Sequence, residues 1–307
     1  MSSETILVTG LGGLIGQAVA QRLLKGGRNL VGMDQRVPAH SPFPVITHDL
    51  PDPQRWHEAI RRFGITHVVH PGGVSGPMLL RDAPARVSDI NIGGVAGLLE
   101  AARIHGLRRV VCFSSVVAYG EHPGLPVITE DTVLKPQTVY AATKAAGDAL
   151  ISAYHAQHGV DAVSLRVAGC YGPGRVTDCV IRTTLENGLQ GRVTRFREDP
   201  TRTRQFVYVD DVVDAVIAAL DTPTLALRSY NIGPGATHTL ADVEAAVRQC
   251  LPAARLEADP QASALNSFGI GLMSIEAARR DLGFSPRVSL AEGASHTLRW
   301  VRERMGL

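Results

Sequence analysis

The sequence is short of several things, and each shortage removes a class of protein. It has four cysteines, Cys112, Cys170, Cys179 and Cys250. None stands in a CxxC or other metal-ligand spacing, so no metal site is expected. Cys112 and Cys170 fall in apolar strand-like runs and read as small core residues. Such usage suits a reducing cytoplasm better than secretion. The residues ahead of the first apolar run lack a charged region followed by a signal core, which points the same way. An excess of one charge is also lacking, since 31 Lys and Arg face 29 Asp and Glu. That balance gives no broad basic field for nucleic acid. No apolar run is long enough to span a bilayer, so no membrane partner is expected. Internal repeats and low-complexity tracts are missing too. What remains is a 307-residue chain of ordinary apolar content, able to bury a full core in one large domain or two smaller ones.

Against these absences stands one dense stretch, Thr9-Gly10-Leu11-Gly12-Gly13-Leu14-Ile15-Gly16. It follows an apolar run, Thr5-Ile6-Leu7-Val8, and opens onto Gln17 to Leu24, which has helical spacing. A glycine-rich turn between a strand and a helix is the context of a dinucleotide site. Gly10 permits the sharp turn, Gly13 lets the backbone approach a pyrophosphate, and Gly16 lets the helix lie close to the sheet. The helix start presents free N–H groups to phosphate, with Leu14 and Ile15 beside the glycines. Without more, the stretch also fits a glycine-rich turn that binds nothing.

Asp34 shifts the balance. It ends a second apolar run, Leu30-Val31-Gly32-Met33, about 20 residues on, where a carboxylate reaches the adenosine ribose. Such a carboxylate accepts from both ribose hydroxyls and repels a 2′-phosphate, so NAD is favoured over NADP. Arg36 is the opposing signal for a 2′-phosphate, and is preferred as a solvated loop charge. Asp49, with Leu50 after it, is a candidate adenine contact, although capping of the next helix is the default for such an acid.

Strand-like and helical runs alternate through the first half. Helices are expected from about 53 to 63, 84 to 105 and 138 to 158, and strands at 66–70, 109–113 and 162–167. This alternation predicts an α/β fold, a Rossmann-type doubly wound parallel sheet, with ligands beyond the C-terminal strand ends. His67 and His70 lack metal-ligand company and read as packing or loop residues. The second half is less regular. A helix is expected from 179 to 187, a strand at 205–209, a helix capped by Asp210 or Asp211, a strand at 229–232 and two final helices. These form a small C-terminal substrate domain interleaved with the first. The expected division is 1–170 plus about 205–233 for the cofactor, and 171–204 plus about 234–307 for the substrate.

Tyr140 and Lys144 stand four apart on an expected helix, so they share a face. A phenol with pKa near 10 is too weak a base at neutral pH. Lowering it by about 3 units requires roughly 4 kcal/mol, which one close cation at low dielectric can supply. Lys144 is the expected cation, helped by an oxidised nicotinamide. Ser115, at a strand end, would hydrogen-bond the same substrate oxygen. Tyr140 then moves the proton, Ser115 positions the oxygen, and Lys144 tunes Tyr140 and holds the cofactor ribose. Alone, a Tyr and a Lys four apart usually mark a solvated face. The combination with the glycine turn, Asp34 and a strand-end serine is far more specific.

The pattern resembles the extended short-chain dehydrogenase/reductase family, which includes nucleotide-sugar epimerases and dehydratases. The likeness runs through Thr9-Gly10-x-x-Gly13-x-x-Gly16, Ser115 before Tyr119-Gly120, Tyr140-x-x-x-Lys144 and Leu165-Arg166 leading to Tyr171-Gly172-Pro173. It continues in 204–212, in Tyr230-Asn231-Ile232-Gly233 and in Leu282-Gly283-Phe284-x-Pro286. The resemblance implies a homodimer packed through about 88–105 and 138–157. It also implies that Asn91 supports the active-site end of the sheet.

Two departures bear on the substrate. Dehydratases of the family carry an Asp-Glu pair just after the serine position, where this chain has Val116-Val117. Sugar-nucleotide members commonly have an Asn where this chain has Gly169, and the loop 175–178 lacks an obvious match to theirs. Arg204 matches an Arg that contacts the diphosphate in relatives, with Arg202 nearby; both also read as members of a solvated basic loop opposite Glu198 and Asp199. Ser75, Ser115 and Arg204 are the candidate substrate contacts. The expected activity is an NAD-dependent epimerase acting on a nucleotide-linked sugar. The alternative is an NAD-dependent dehydrogenase of a free sugar, sugar acid or related hydroxy compound. A non-enzymatic NAD-binding regulator is the third reading, and it gives no reason for the three reacting groups.

Overall fold

The computed structural model describes residues 4–36, 40–197, 202–262 and 270–307. The chain opens with β1 (Thr5–Thr9), α1 (Leu14–Lys25), β2 (Asn29–Asp34), β3 (Val45–Thr47), α2 (Gln54–Phe63) and β4 (His67–His70). It continues with α3 (Pro84–Ser88), α4 (Gly94–His105), β5 (Arg109–Ser115), β6 (Val127–Ile128), α5 (Val139–His158) and β7 (Ala162–Val167). Then come β8 (Gly169–Tyr171), α6 (Val180–Leu189), β9 (Thr194–Phe196), β10 (Phe206–Tyr208), α7 (Val209–Asp221) and β11 (Ser229–Ile232). The last elements are α8 (Leu240–Cys250), β12 (Leu256–Ala258), β13 (Leu272–Met273), α9 (Glu276–Leu282) and α10 (Leu290–Met305).

Seven strands form one parallel sheet in the order β11-β7-β5-β4-β1-β2-β3. The fold is therefore the expected doubly wound α/β type. Side chains alternate across a strand. Ile6 and Val8 of β1 enter the core on the face that holds Val19 and Leu23 of α1 and Val212 and Val216 of α7. Leu7 enters the opposite core with Trp56 of α2, Leu98 and Leu99 of α4 and Ile151 of α5. The strands read as continuous apolar runs because both of their faces are covered. Chain order reverses between β1 and β4, which opens a crevice beyond the strand ends.

Several local expectations are corrected. The stretch 84–105 is not one uniform helix, because a π-helical turn, Asp89–Gly93, joins α3 to α4. Such turns re-aim side chains and often mark functional sites. Here the buried Asn91 Oδ1 accepts from the Val74 amide at 2.8 Å, and Nδ2 donates to Val74 O at 3.2 Å and Thr143 Oγ1 at 2.9 Å. Asn91 thus ties the loop after β4 to α5, as the family resemblance implied. Helix α7 is not capped by Asp210 or Asp211, which lie in its first turn after Tyr208. Asp211 instead accepts the amides of Arg287 and Val288 at 2.9 and 3.3 Å, fixing the approach to α10. Nor does Asp49 cap α2. Asp52 Oδ1 accepts the Gln54 amide at 3.0 Å, while Asp49 pairs with Arg86 at 2.8 Å. Among the described residues three helices follow β11 rather than two, since the seven-residue α9 is too short for periodicity to reveal.

The turn before α1 is built by close approach. Gly10 adopts φ +61°, and a side chain at Gly16 would drive into the Gly10 carbonyl and lie 2.9 Å from Thr9 O. Gly16→Ala must push α1 away from β1. The expected cost is about 1–3 kcal/mol, read as a lower urea midpoint with unchanged slope, together with weaker binding of NAD.

Candidate active site

The end of β1 and the start of α1 leave room for an anion. No side chain caps α1 at Gly13, so the first-turn amides are open toward the crevice. Asp34, at the end of the neighbouring β2, accepts the Gly12 amide on Oδ2 at 2.9 Å and the Arg36 amide on Oδ1 at 3.2 Å. Arg36 is exposed, in keeping with a solvated charge. A cavity of about 290 Å³ begins at Gly10, Gly13, Leu14, Ile15 and Gly16. It runs past Ser75 to Ser115, Tyr140 and Lys144, and its far wall is Val167 to Cys170 with Gly174 to Thr177. An uncapped helix start, a carboxylate at the next strand end and a continuous cleft fit a dinucleotide.

The fold brings most of the sequence-predicted residues to this cavity, and a few elsewhere. Asp34 stands beside the glycine turn rather than in the cavity lining. Asp49 and Leu50 lie beyond β3; Asp49 is held by Arg86 and by Gln35 Nε2 at 3.2 Å, and Leu50 is buried under Gly72 and Gly94. Arg204 does not line the cavity. Its backbone forms an antiparallel bridge with His238. Glu198 and Asp199, expected opposite the basic loop, lie outside the described residues.

Helix α5 places the reacting pair. Thr138 caps it by accepting the Ala141 amide at 3.1 Å. In its first turn, Tyr140 is buried against Ser115. Lys144 Nζ lies 5.8 Å from the centre of the Tyr140 ring and donates to the Phe113 carbonyl at 3.0 Å. Burial pushes the Tyr140 phenol up, and the Ser115 hydrogen bond and the Arg175 charge pull it back. Burial pushes Lys144 down, opposed by Cys112 and Asp148. The ammonium is turned to the Phe113 carbonyl, and in the protein alone burial is the larger influence.

One residue was missed by motif reading. Arg175 lines the cavity, anchored through the carbonyls of Cys170 at 2.8 Å and Asp178 at 3.2 Å. Its signal was its place just after the Tyr171-Gly172-Pro173 turn at a strand end. His70 is fully buried at the end of β4, packed edge-on against Trp56, with Nδ1 2.8 Å from Thr9 Oγ1. Thr9 Oγ1 also accepts the Gly72 amide at 3.0 Å, so His70 braces the strand ends beneath the glycine turn. Cys112 and Cys170 are buried, and all four cysteines are free thiols.

The family model described as "NAD dependent epimerase/dehydratase family" matches residues 6–233. The chain belongs to this family. The UDP-glucose 4-epimerase of Mycolicibacterium smegmatis is 30% identical over 97% of this chain and 98% of its own length. Among solved structures, the Thermus thermophilus UDP-glucose 4-epimerase in complex with NAD is 29% identical, with TM-score 0.86 over 97% of this chain and 99% of that one. The Bacillus cereus UDP-glucuronic acid 4-epimerase, in complex with UDP-glucuronic acid and NAD, is 25% identical, with TM-score 0.85 over 98% of this chain and 99% of that one. Membership makes the chain an NAD-dependent enzyme. Among the described residues no group of three or more His, Cys, Asp or Glu is arranged to hold a metal ion, and no helix is long and apolar enough to cross a membrane.

The buried His70 gives the enzyme a specific acid sensitivity. Its pKa falls from 6.5 to about 3, mainly through burial, so it is neutral in the folded state and takes a proton on unfolding below about 6.5. Its contribution is therefore full above pH 6.5 and is lost as pH falls toward 3. Between pH 7 and pH 5 the loss is about 2 kcal/mol. In urea melts at both pH values, His70→Gln, which keeps a partner for Thr9, should lose less stability than wild type by about that amount.

Proposed function

We propose that the enzyme is an NAD-dependent epimerase acting on a nucleotide-linked sugar. The observation that carries this reading is the cavity lining: Ser115, Tyr140 and Lys144 meet there, and among the described residues no carboxylate lines it. Elimination of water requires an acid and a base of its own, and the positions after Ser115 are Val116 and Val117. Of the side chains, epimerisation asks only proton transfer at one hydroxyl, while the ring hydride would pass to NAD and return to the opposite face. The full-length likeness to UDP-sugar 4-epimerases supports the same reading.

The proposed roles follow from position. Gly10, Gly13, Leu14, Ile15 and Gly16 hold the pyrophosphate at the start of α1, and Asp34 takes the adenosine ribose, which favours NAD over NADP. Leu50, with Asp49, bounds the adenine side. When bound, NAD supplies the hydride acceptor and donor that no side chain can provide. Tyr140 takes the proton from the substrate hydroxyl and returns it, while Ser115 donates a hydrogen bond to the same oxygen. Lys144 holds the cofactor ribose and, by its charge, favours the phenolate once the site is filled and dry. Ser75 flanks the sugar, and Arg204 is assigned to the diphosphate from outside the cavity.

A second reading, net oxidation of a free sugar or sugar acid, is favoured by Gly169. A side chain there would lie 2.9 Å from the Gln205 carbonyl, so an Asn at that wall would require the β8–β10 pairing to shift. We further infer a homodimer packed through α4 and α5, a cytoplasmic setting, and a division into cofactor-binding residues 1–170 plus about 205–233 and substrate-binding residues 171–204 plus about 234–307.

Purified protein with NAD and a panel of UDP-sugars, free sugars and sugar acids tests the function. Formation of an epimer without net NADH is expected; NADH equal to substrate consumed would make the enzyme a dehydrogenase. Tyr140→Phe should lower turnover by roughly a hundredfold to ten-thousandfold while NAD binding survives. Unchanged turnover would remove Tyr140 from the chemistry. Sedimentation at micromolar concentration should report twice the chain mass.

A further inference from the structure

Asp148 lies four residues beyond Lys144, so Tyr140, Lys144 and Asp148 follow one another at one-turn intervals along α5. Asp148 is buried. Its Oδ2 accepts from Ser114 Oγ at 3.1 Å and from Arg166 Nε at 2.8 Å, and its Oδ1 accepts from Ser164 Oγ at 2.5 Å. Arg166 continues the network to Tyr119 Oη at 2.8 Å and the Glu130 carbonyl at 2.9 Å. Tyr119 Oη in turn donates to Asn231 Oδ1 at 2.7 Å. One carboxylate therefore joins α5 to β5 and β7, and through Arg166 and Tyr119 to β11.

A buried ion pair of this kind adds little stability over well-packed apolar residues. Its placement suggests another purpose. Ser114 directly precedes Ser115, and the Phe113 carbonyl before it accepts from Lys144 Nζ. Both contacts fasten the last residues of β5 to α5, at the height where Ser115 must meet Tyr140.

We propose that Asp148 is a positioning residue of the active site, which sets α5 against the end of β5 and supplies the negative charge on which Lys144 depends. The inference rests on reading Tyr140 and Lys144 as the reacting pair. The titratable groups that face Lys144 are few. Cys112 on β5 is a thiol pushed up to about 12, and His70 on β4 is pushed down to about 3, so both are neutral near pH 7. Tyr140 on the same helix is a phenol pushed up by burial. Of these neighbours, Asp148 brings the negative charge that opposes the desolvation of Lys144. The charge lets Lys144 remain an ammonium inside the site, where it holds the cofactor ribose and favours the phenolate.

The sequence makes the test direct, because Lys25, Lys135 and Lys144 are its only lysines. In full-length protein labelled with [13C]lysine, the side-chain signals are assigned with Lys25→Arg and Lys135→Arg and titrated to high pH. Asp148→Asn should lower the Lys144 midpoint by about one unit, and Asp148→Glu should restore it. Ser114→Ala removes a hydrogen bond without removing charge and should leave the midpoint in place. A wild-type midpoint in Asp148→Asn overturns the proposal, as does an equal shift in Ser114→Ala. If Asp148→Asn does not fold, Asp148→Asn/Arg166→Met decides, with a lowered midpoint expected and an unchanged one fatal. Titration of NAD over the same pH range keeps the two readings apart. Failure of wild type to bind NAD would sink the cofactor assignment, while the Lys144 midpoint would still judge Asp148.

Discussion

The parallel pairing of seven strands is the constraint from which the site follows. Parallel strands require a crossover after each strand, so every strand of the sheet ends on the same side. The reversal of order between β1 and β4 holds the crossovers apart at one point along that edge. Into this gap fall the glycine turn after β1, the loop after β4, the serine ending β5 and the wall after β7. Four stretches distant in sequence become one cavity without any of them contacting another by local design. Burial of Ile6, Leu7 and Val8 on both faces of β1 fixes the frame. The glycines then let α1 settle close enough to present its free amides to the same gap.

Burial that builds the site also works against its chemistry. Desolvation favours neutral forms, so it raises Tyr140 and lowers Lys144 at once. A proton-transfer site needs the opposite of both. Charge must therefore be brought in deliberately. The charge of Arg175 acts on the phenol from the loop after β8, and that of Asp148 acts on the ammonium from one turn along α5. The two groups act from different elements on different partners. Within the protein alone neither fully offsets burial, and the positive ring of an oxidised nicotinamide is the remaining charge that the family chemistry brings to the phenol.

Local spacing made part of this legible in advance. Gly10, Gly13 and Gly16 declare themselves because a turn and a close approach are properties of adjacent residues. Tyr140 and Lys144 declare themselves because four residues make one helical turn. Strand ends could be placed to within a residue or two, since each apolar run is buried on both faces and stops where burial stops. The remaining features depend on distant partners. The π-helical turn at Asn91 exists to meet Val74 and Thr143. Asp211 reads as a capping acid until Arg287 and Val288 arrive to claim it. His70 reads as a packing or loop residue, and nothing near it in sequence hints at Thr9. Arg175 was passed over for a related reason. Its loop lacks a match to a nucleotide-binding pattern, whereas the fold places it in the cavity wall, where its charge favours the Tyr140 phenolate.

The substrate wall carries the same lesson to the choice between epimerase and dehydrogenase. An Asn at position 169 would be a loss of one ligand contact if glycine there were a free substitution. It is not free, because the strand pairing of Gly169 with Phe206 brings the Gln205 carbonyl against the place a side chain would occupy. Glycine and the β8–β10 pairing are thus one feature, and the pocket has been shaped without that amide rather than merely deprived of it. Recognition of a diphosphate must then come from elsewhere. Arg204 begins the segment that leads into β10, so the pairing that crowds a side chain at 169 also sets where Arg204 emerges. If the substrate is nucleotide-linked, its diphosphate is held from the β10 side of the wall. If it is a free acid, Arg175 is a cation that the cavity itself offers beside Lys144.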